Sequence, residues 1–136
     1  MENNKALAYL FLRLGIGISF LGHGIVRLSK IPAFRSWMIG LFNTSLMPEI
    51  FAYWFASVLP FVELLLGILL IIGWHTRVAY ILGSAVICTL IFGSCLIENW
   101  EAVAFQLIYG LLFFILLFYM EYNKYALEKS FSGRKE

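Results

Sequence analysis

A single carboxylate constrains this chain more than any other residue. Glu63 lies in the stretch 60–77, PFVELLLGILLIIGWHTR, and residues 53–73 hold no other charge. An ionised group inside so long an apolar run costs several kcal/mol unless it faces protein and finds a partner. The rest of the sequence can be read as what makes that acid tolerable.

The solvent follows from the residues around it. Of the 136 residues, 62% are AVILMFWYC and only 13% are DEKR. A water-soluble domain of this size has too much surface for its volume to hide that much apolar material. The length suits one domain, 1–136, and a membrane is the solvent that fits it. The net charge of +2 argues against nucleic acid as a partner. There is no aspartate, so a carboxylate metal site or aspartyl phosphoryl chemistry is not expected, and no metal site is predicted. Cys88 and Cys95 are two helical turns apart, about 10 Å, which is too far for a disulfide.

Four apolar segments, 6–26, 50–73, 78–97 and 102–120, are each long enough to cross a hydrocarbon layer of roughly 30 Å. The fold class is therefore an all-α, integral membrane four-helix bundle. In the first segment Gly17 and Gly24 share a face with Arg13, and Gly15 and Gly22 lie opposite. That predicts close packing on two sides. In the second, Ala52, Ala56, Glu63 and Gly67 fall on one stripe, so the acid shares the close-packing face. Pro60, one turn earlier, removes a backbone donor and predicts a kink and a small cavity beside Glu63.

The connection 27–48 carries Arg27, Lys30 and Arg35, with Phe34, Trp37, Met38, Leu41 and Phe42 at helical spacing. This is the pattern of a short amphipathic helix lying in the membrane interface, between spans 1 and 2 in the sequence. Gly73 suits a helix C-terminus and Thr76 an N-cap, so residues 73–76 form a tight turn. Residues 98–101, ENWE, form another, placed to hold the basic connection through Glu98 and Glu101. The tail 121–136 is polar and basic, and partial disorder is expected at its end. Outside the spans, the side with both termini holds six Lys and Arg residues and the other side three. Both termini are thus expected in the cytoplasm.

Polar groups within the spans are the candidate site. Counted from the inner face, Arg13 lies about 12 Å deep and Glu63 about 15 Å. An Arg13–Glu63 ion pair is the expected arrangement, with a neutral Glu63 as the alternative. His23 and Gln106 fall in the outer half and can share a layer. Tyr109 is deep enough to need a hydrogen-bond partner. The two histidines, His23 and His75, fall at opposite faces, so a bis-histidine haem is not expected, and no flavin motif occurs.

Arg13-Leu14-Gly15, Phe20, His23-Gly24 and Arg27-Leu28 resemble the opening of the DoxX family, RxxxG, F, HG and KL, with arginine for the usual lysine at 27. Pro60, Glu63, Gly67, Leu70, Gly73, Thr76 and Arg77 resemble its second signature, P-x-x-E-x-x-x-G-x-x-L-x-x-G-x-x-T-R. Residues 123–128, NKYALE, resemble the closing G-K-Y-S-L-D without its glycine, serine and aspartate, so no tail function is expected. The resemblance covers nearly the whole chain. It implies a four-helix protein of the bacterial inner membrane, in a family that includes the membrane subunit of thiosulfate:quinone oxidoreductase and other members of membrane redox assemblies.

Two functions are expected on that footing. In the first, the chain is a membrane subunit of a quinone-linked oxidoreductase or redox assembly. Arg13, His23, Glu63, Gln106 and Tyr109 are its candidate ligand or proton site, quinone its cofactor and a redox protein its partner. Gly17, Gly24, Pro60, Gly67, Gly73, Thr76 and Arg77 are the structural motif. In the second, the chain is a non-enzymatic scaffold or anchor. It carries no complete catalytic set, so enzyme activity is left open. Membrane lipid is a partner in both, and a homodimer is a further expectation.

Overall fold

The computed structural model describes residues 2–132. The far end of the tail, where disorder was expected, lies outside them. The elements are α1 (Glu2–Leu28), α2 (Ile31–Phe42), α3 (Glu49–Ile72), α4 (Thr76–Leu96), α5 (Trp100–Phe118), a 3-10 turn (Met120–Tyr122) and α6 (Leu127–Ser132). Helices α1, α3, α4 and α5 are long and apolar enough to cross a membrane. Their bounds fall within four residues of the expected spans. The first is the longest, at 27 residues or about 40 Å.

Helix α1 packs chiefly on α3, and α4 on α5, while α5 returns to α1 and closes the bundle. The buried positions of α1 are Ala6, Tyr9, Arg13, Ile16, Gly17, Phe20 and Gly24. Steps of mostly three and four residues make this one stripe. Phe20, Leu66, Leu70, Tyr80, Ile87 and Phe113 form the heart of the core. Gly83 admits the Phe113 ring, where a Cβ would clash.

The backbones of α1 and α3 come very close. A Cβ at Gly24 would stand 2.6 Å from Leu64 N, and one at Gly67 would stand 2.7 Å from Leu21 Cα. One at Gly17 would stand 3.1 Å from Leu70 Cβ. These contacts lock the register of the antiparallel pair. Gly15 and Gly22, by contrast, meet nothing within 4 Å. Close packing on two sides of α1, expected from its four glycines, is therefore corrected to one side. The other glycine face is exposed.

Helix α2 lies over one end of α3. Phe34, Met38 and Phe42 pack on Ala52, Ala56 and Leu59, so the amphipathic stripe buries against protein. Arg35 reinforces it, donating from Nε to Ser57 Oγ at 2.7 Å and lying 5.0 Å from the Tyr53 ring centre. Glu98 and Glu101 do not hold this connection. Among the described residues the salt bridges are Arg27–Glu63 and Lys124–Glu2. The ENWE turn instead uses Asn99, whose side chain accepts from Ala102 N and caps α5.

At the other end, Gly73 closes α3 in the left-handed region, φ 71°. Thr76 is not the N-cap of α4. His75 takes that position at φ 47° with no side-chain cap, and Thr76 begins the helix. The cap comes from the tail, where Glu128 accepts from Thr76 N at 3.1 Å and also from Thr76 Oγ1. The termini meet here as well, since Lys124 pairs with Glu2 and Tyr125 OH donates to Asn3.

Candidate functional site

The end of the bundle beneath α2 holds a half-open cavity of about 880 Å³. Its walls come from α1, α2, α3, α4 and α5. Phe42, Phe51, Phe55, Leu59, Leu90 and Phe105 make it predominantly apolar. Ser19, His23, Arg27, Glu63, Gln106 and Tyr109 supply the polar lining. Pro60 is buried but does not reach the cavity, which is far larger than the local pocket expected from a proline kink.

Glu63 pairs with Arg27, not with Arg13. The register of α1 on α3 explains this correction. Gly24 lies against Leu64, so Arg27, three residues on and about 4.5 Å along the axis, reaches Glu63. Arg13 lies toward the opposite end, beside Gly73. The depth count placed Arg13 and Glu63 level because it took α1 to begin its span at residue 6. A helix longer than the membrane is thick leaves that origin open. Arg27 Cζ also stands 4.8 Å from the Phe34 ring centre, so α2 helps hold the guanidinium in place.

One oxygen of Glu63 is thus engaged. The other, Oε2, is buried with no hydrogen-bond partner among the described residues. Gln106 shows the same asymmetry: its Nε2 donates to Ser94 Oγ at 2.9 Å, and its buried Oε1 has no partner. Both residues line the cavity. Polar atoms left in this state cost about 1–3 kcal/mol each, and more when charged. Buried groups without a partner call for a functional or ligand explanation.

Of the remaining candidates, His23 Nδ1 bonds the Ser19 carbonyl oxygen at 2.8 Å, which leaves its other ring nitrogen free of that contact. Tyr109 finds its partner in the Ser19 hydroxyl. His23, Glu63, Gln106 and Tyr109 are therefore brought together around one cavity, and Arg13 is not. Arg27, Ser19 and Ser94 were missed as site residues. Arg27 was legible, since it occupies a basic position of the opening motif; the two serines carry no sequence signal of their own.

Arg13 organises a different site. It is 1% exposed, donating from Nη1 to Asn123 Oδ1 at 2.9 Å and from Nη2 to the Tyr125 carbonyl oxygen at 2.6 Å. Asn123 Nδ2 donates in turn to Thr76 Oγ1 at 2.9 Å. Tyr9 OH donates to the Leu116 carbonyl oxygen at 2.6 Å and lies 3.0 Å from Tyr80 OH. The closing motif, from which no function was expected, thus supplies Arg13's partners and the α4 cap. The substituted residues do this because asparagine and glutamate still offer an amide and a carboxylate at those positions. Of the structural motif, Gly17, Gly24, Pro60, Gly67, Gly73 and Thr76 are buried and Arg77 is exposed. Among the described residues no group of three or more His, Cys, Asp or Glu is placed to hold a metal ion.

Four apolar spans around a predominantly apolar cavity define a multi-pass membrane protein of the four-helix type. The DoxX family matches the chain over residues 8–97, which takes in most of α1, all of α2 to α4 and with them both signature motifs. The chain belongs to the DoxX family. No curated protein and no solved structure matched it.

Proposed function

We propose that this chain is a membrane subunit of a quinone-linked oxidoreductase or redox assembly, and that the cavity under α2 receives the quinone headgroup. The observation that carries the reading is the pair of unpartnered buried atoms, Glu63 Oε2 and Gln106 Oε1, on residues that line a predominantly apolar cavity. Its size lies within the roughly 300–1,000 Å³ usual for small-molecule sites, which are apolar with a few placed polar groups. A ring of quinone size and the first part of its tail fit that volume and its apolar walls.

The bound quinone would supply two-electron chemistry. The chain's own residues bind and orient it: Arg27 holds Glu63, His23 and Tyr109 offer nitrogen and hydroxyl contacts, and the aromatic walls exclude water. Electrons enter from a partner redox protein. We place the chain in a bacterial inner membrane with both termini cytoplasmic, following the excess of Lys and Arg on that side. The outward faces meet lipid, and α5, the least buried span, is where a second copy would pack in a homodimer.

The test is mass spectrometry of what copurifies with the wild type and with Glu63→Ala at equal folded yield. Quinone present in the first and lost from the second supports the reading. No quinone in either, with the variant only less stable, moves the assignment to a scaffold or anchor for a partner protein.

A further inference from the structure

We infer that the cavity selects the reduced, hydroxyl-bearing form of its ligand, a quinol over the corresponding quinone; this rests on the function proposed above. The unpartnered atoms decide it. Glu63 Oε2 and Gln106 Oε1 are both oxygens that accept hydrogen bonds, both are buried, and both belong to residues that line the cavity. Glu63 is 4% exposed, so water in bulk does not serve it.

A quinone ring offers two carbonyl oxygens and no donor. Brought to these atoms it would leave both unsatisfied and set oxygen against oxygen. A quinol has the same outline and two O–H donors, one for each acceptor. The cost of an unmatched buried polar group is what makes such sites discriminate between ligands of equal shape.

The two residues differ in how firmly they insist. Gln106 is bonded to Ser94 Oγ, which can donate as well as accept. Its amide can therefore turn over and present a donor. Glu63 has no such freedom, because Arg27 engages Oε1 and the ion-paired carboxylate only accepts. The preference for a donor headgroup thus resides at Glu63, while Gln106 can serve either form.

The experiment is equilibrium binding of a short-tailed ubiquinone analogue, oxidised and chemically reduced, to the full-length protein in nanodiscs under anaerobic conditions. The expected result is binding of the reduced form at least about tenfold more tightly, the worth of one charge-assisted hydrogen bond. Glu63→Gln, whose amide offers a donor, should reduce that ratio several-fold, whereas Gln106→Met, which removes an amide able to face either form, should weaken both forms and change the ratio less. Because the primary comparison uses the wild type, a poorly folding variant does not remove the test. Equal or tighter binding of the oxidised form overturns the inference and leaves the quinone-site reading standing. Binding of neither form overturns both.

Discussion

Gly24 lies against the backbone of Leu64, and that contact determines which arginine Glu63 meets. With no side chain at 24, α1 approaches α3 to a distance that a methyl group would occupy. The register so fixed brings Arg27 to Glu63 and carries Arg13 to the far end of the bundle.

Adding a methyl group at Gly24 or Gly67 should separate the two helices. Each Gly→Ala variant is expected to lose about 1–3 kcal/mol, since the obstruction is backbone and cannot rotate away. Gly15→Ala and Gly22→Ala, which meet open space, should instead be neutral or slightly stabilising, by up to about 1 kcal/mol. Thermal or denaturant unfolding in one detergent separates the two classes.

The ion-pair assignment calls for a double-mutant cycle. Arg27→Met alone leaves a buried carboxylate unpaired and should cost roughly 3 kcal/mol, tempered by the 24% exposure of the arginine side chain. Arg27→Met with Glu63→Met should be less destabilised than the sum of the singles. The corresponding cycle for Arg13 and Glu63 should couple by no more than about 0.5 kcal/mol. A large Arg13–Glu63 coupling would contradict the register described here.

The docking of the tail can be loosened from either side. Glu128→Ala removes the acceptor for Thr76 N and Oγ1 and should cost about 1–2 kcal/mol, as loss of a cap does. Asn123→Ala leaves Arg13 Nη1 without its acceptor and should cost about as much or more. Limited proteolysis reads both directly, because cleavage after Lys124 should become faster while the spans stay protected.

Of the four tryptophans, only Trp37 lines the cavity. In a variant with Trp54, Trp74 and Trp100 changed to Phe, a quinone analogue entering the cavity should still quench fluorescence in a saturable way. Restoring those three and removing Trp37 should abolish most of the saturable component. Unchanged quenching after Trp37→Phe would place the ligand elsewhere.

By itself the sequence determined the spans, the short helix α2, the turn at Gly73 and the face on which Glu63 lies. These follow from apolar length, helical periodicity and the conformational freedom of one glycine, which act within about twenty residues. It also carried the family, because the signature residues lie within α1, α3 and the turn that follows. Tertiary structure alone decided the pairing of Glu63 with Arg27, the burial of Arg13 under the tail and the gathering of His23, Gln106 and Tyr109 around one chamber. Those outcomes depend on how far one long helix slides along another before glycine meets backbone, and a sliding distance leaves no periodic trace in either helix. The tail shows the same limit from the other side: its motif had changed letters, but Asn123 and Glu128 kept the hydrogen-bonding groups that Arg13 and Thr76 require, a match visible only once residues 110 and 52 positions apart had met.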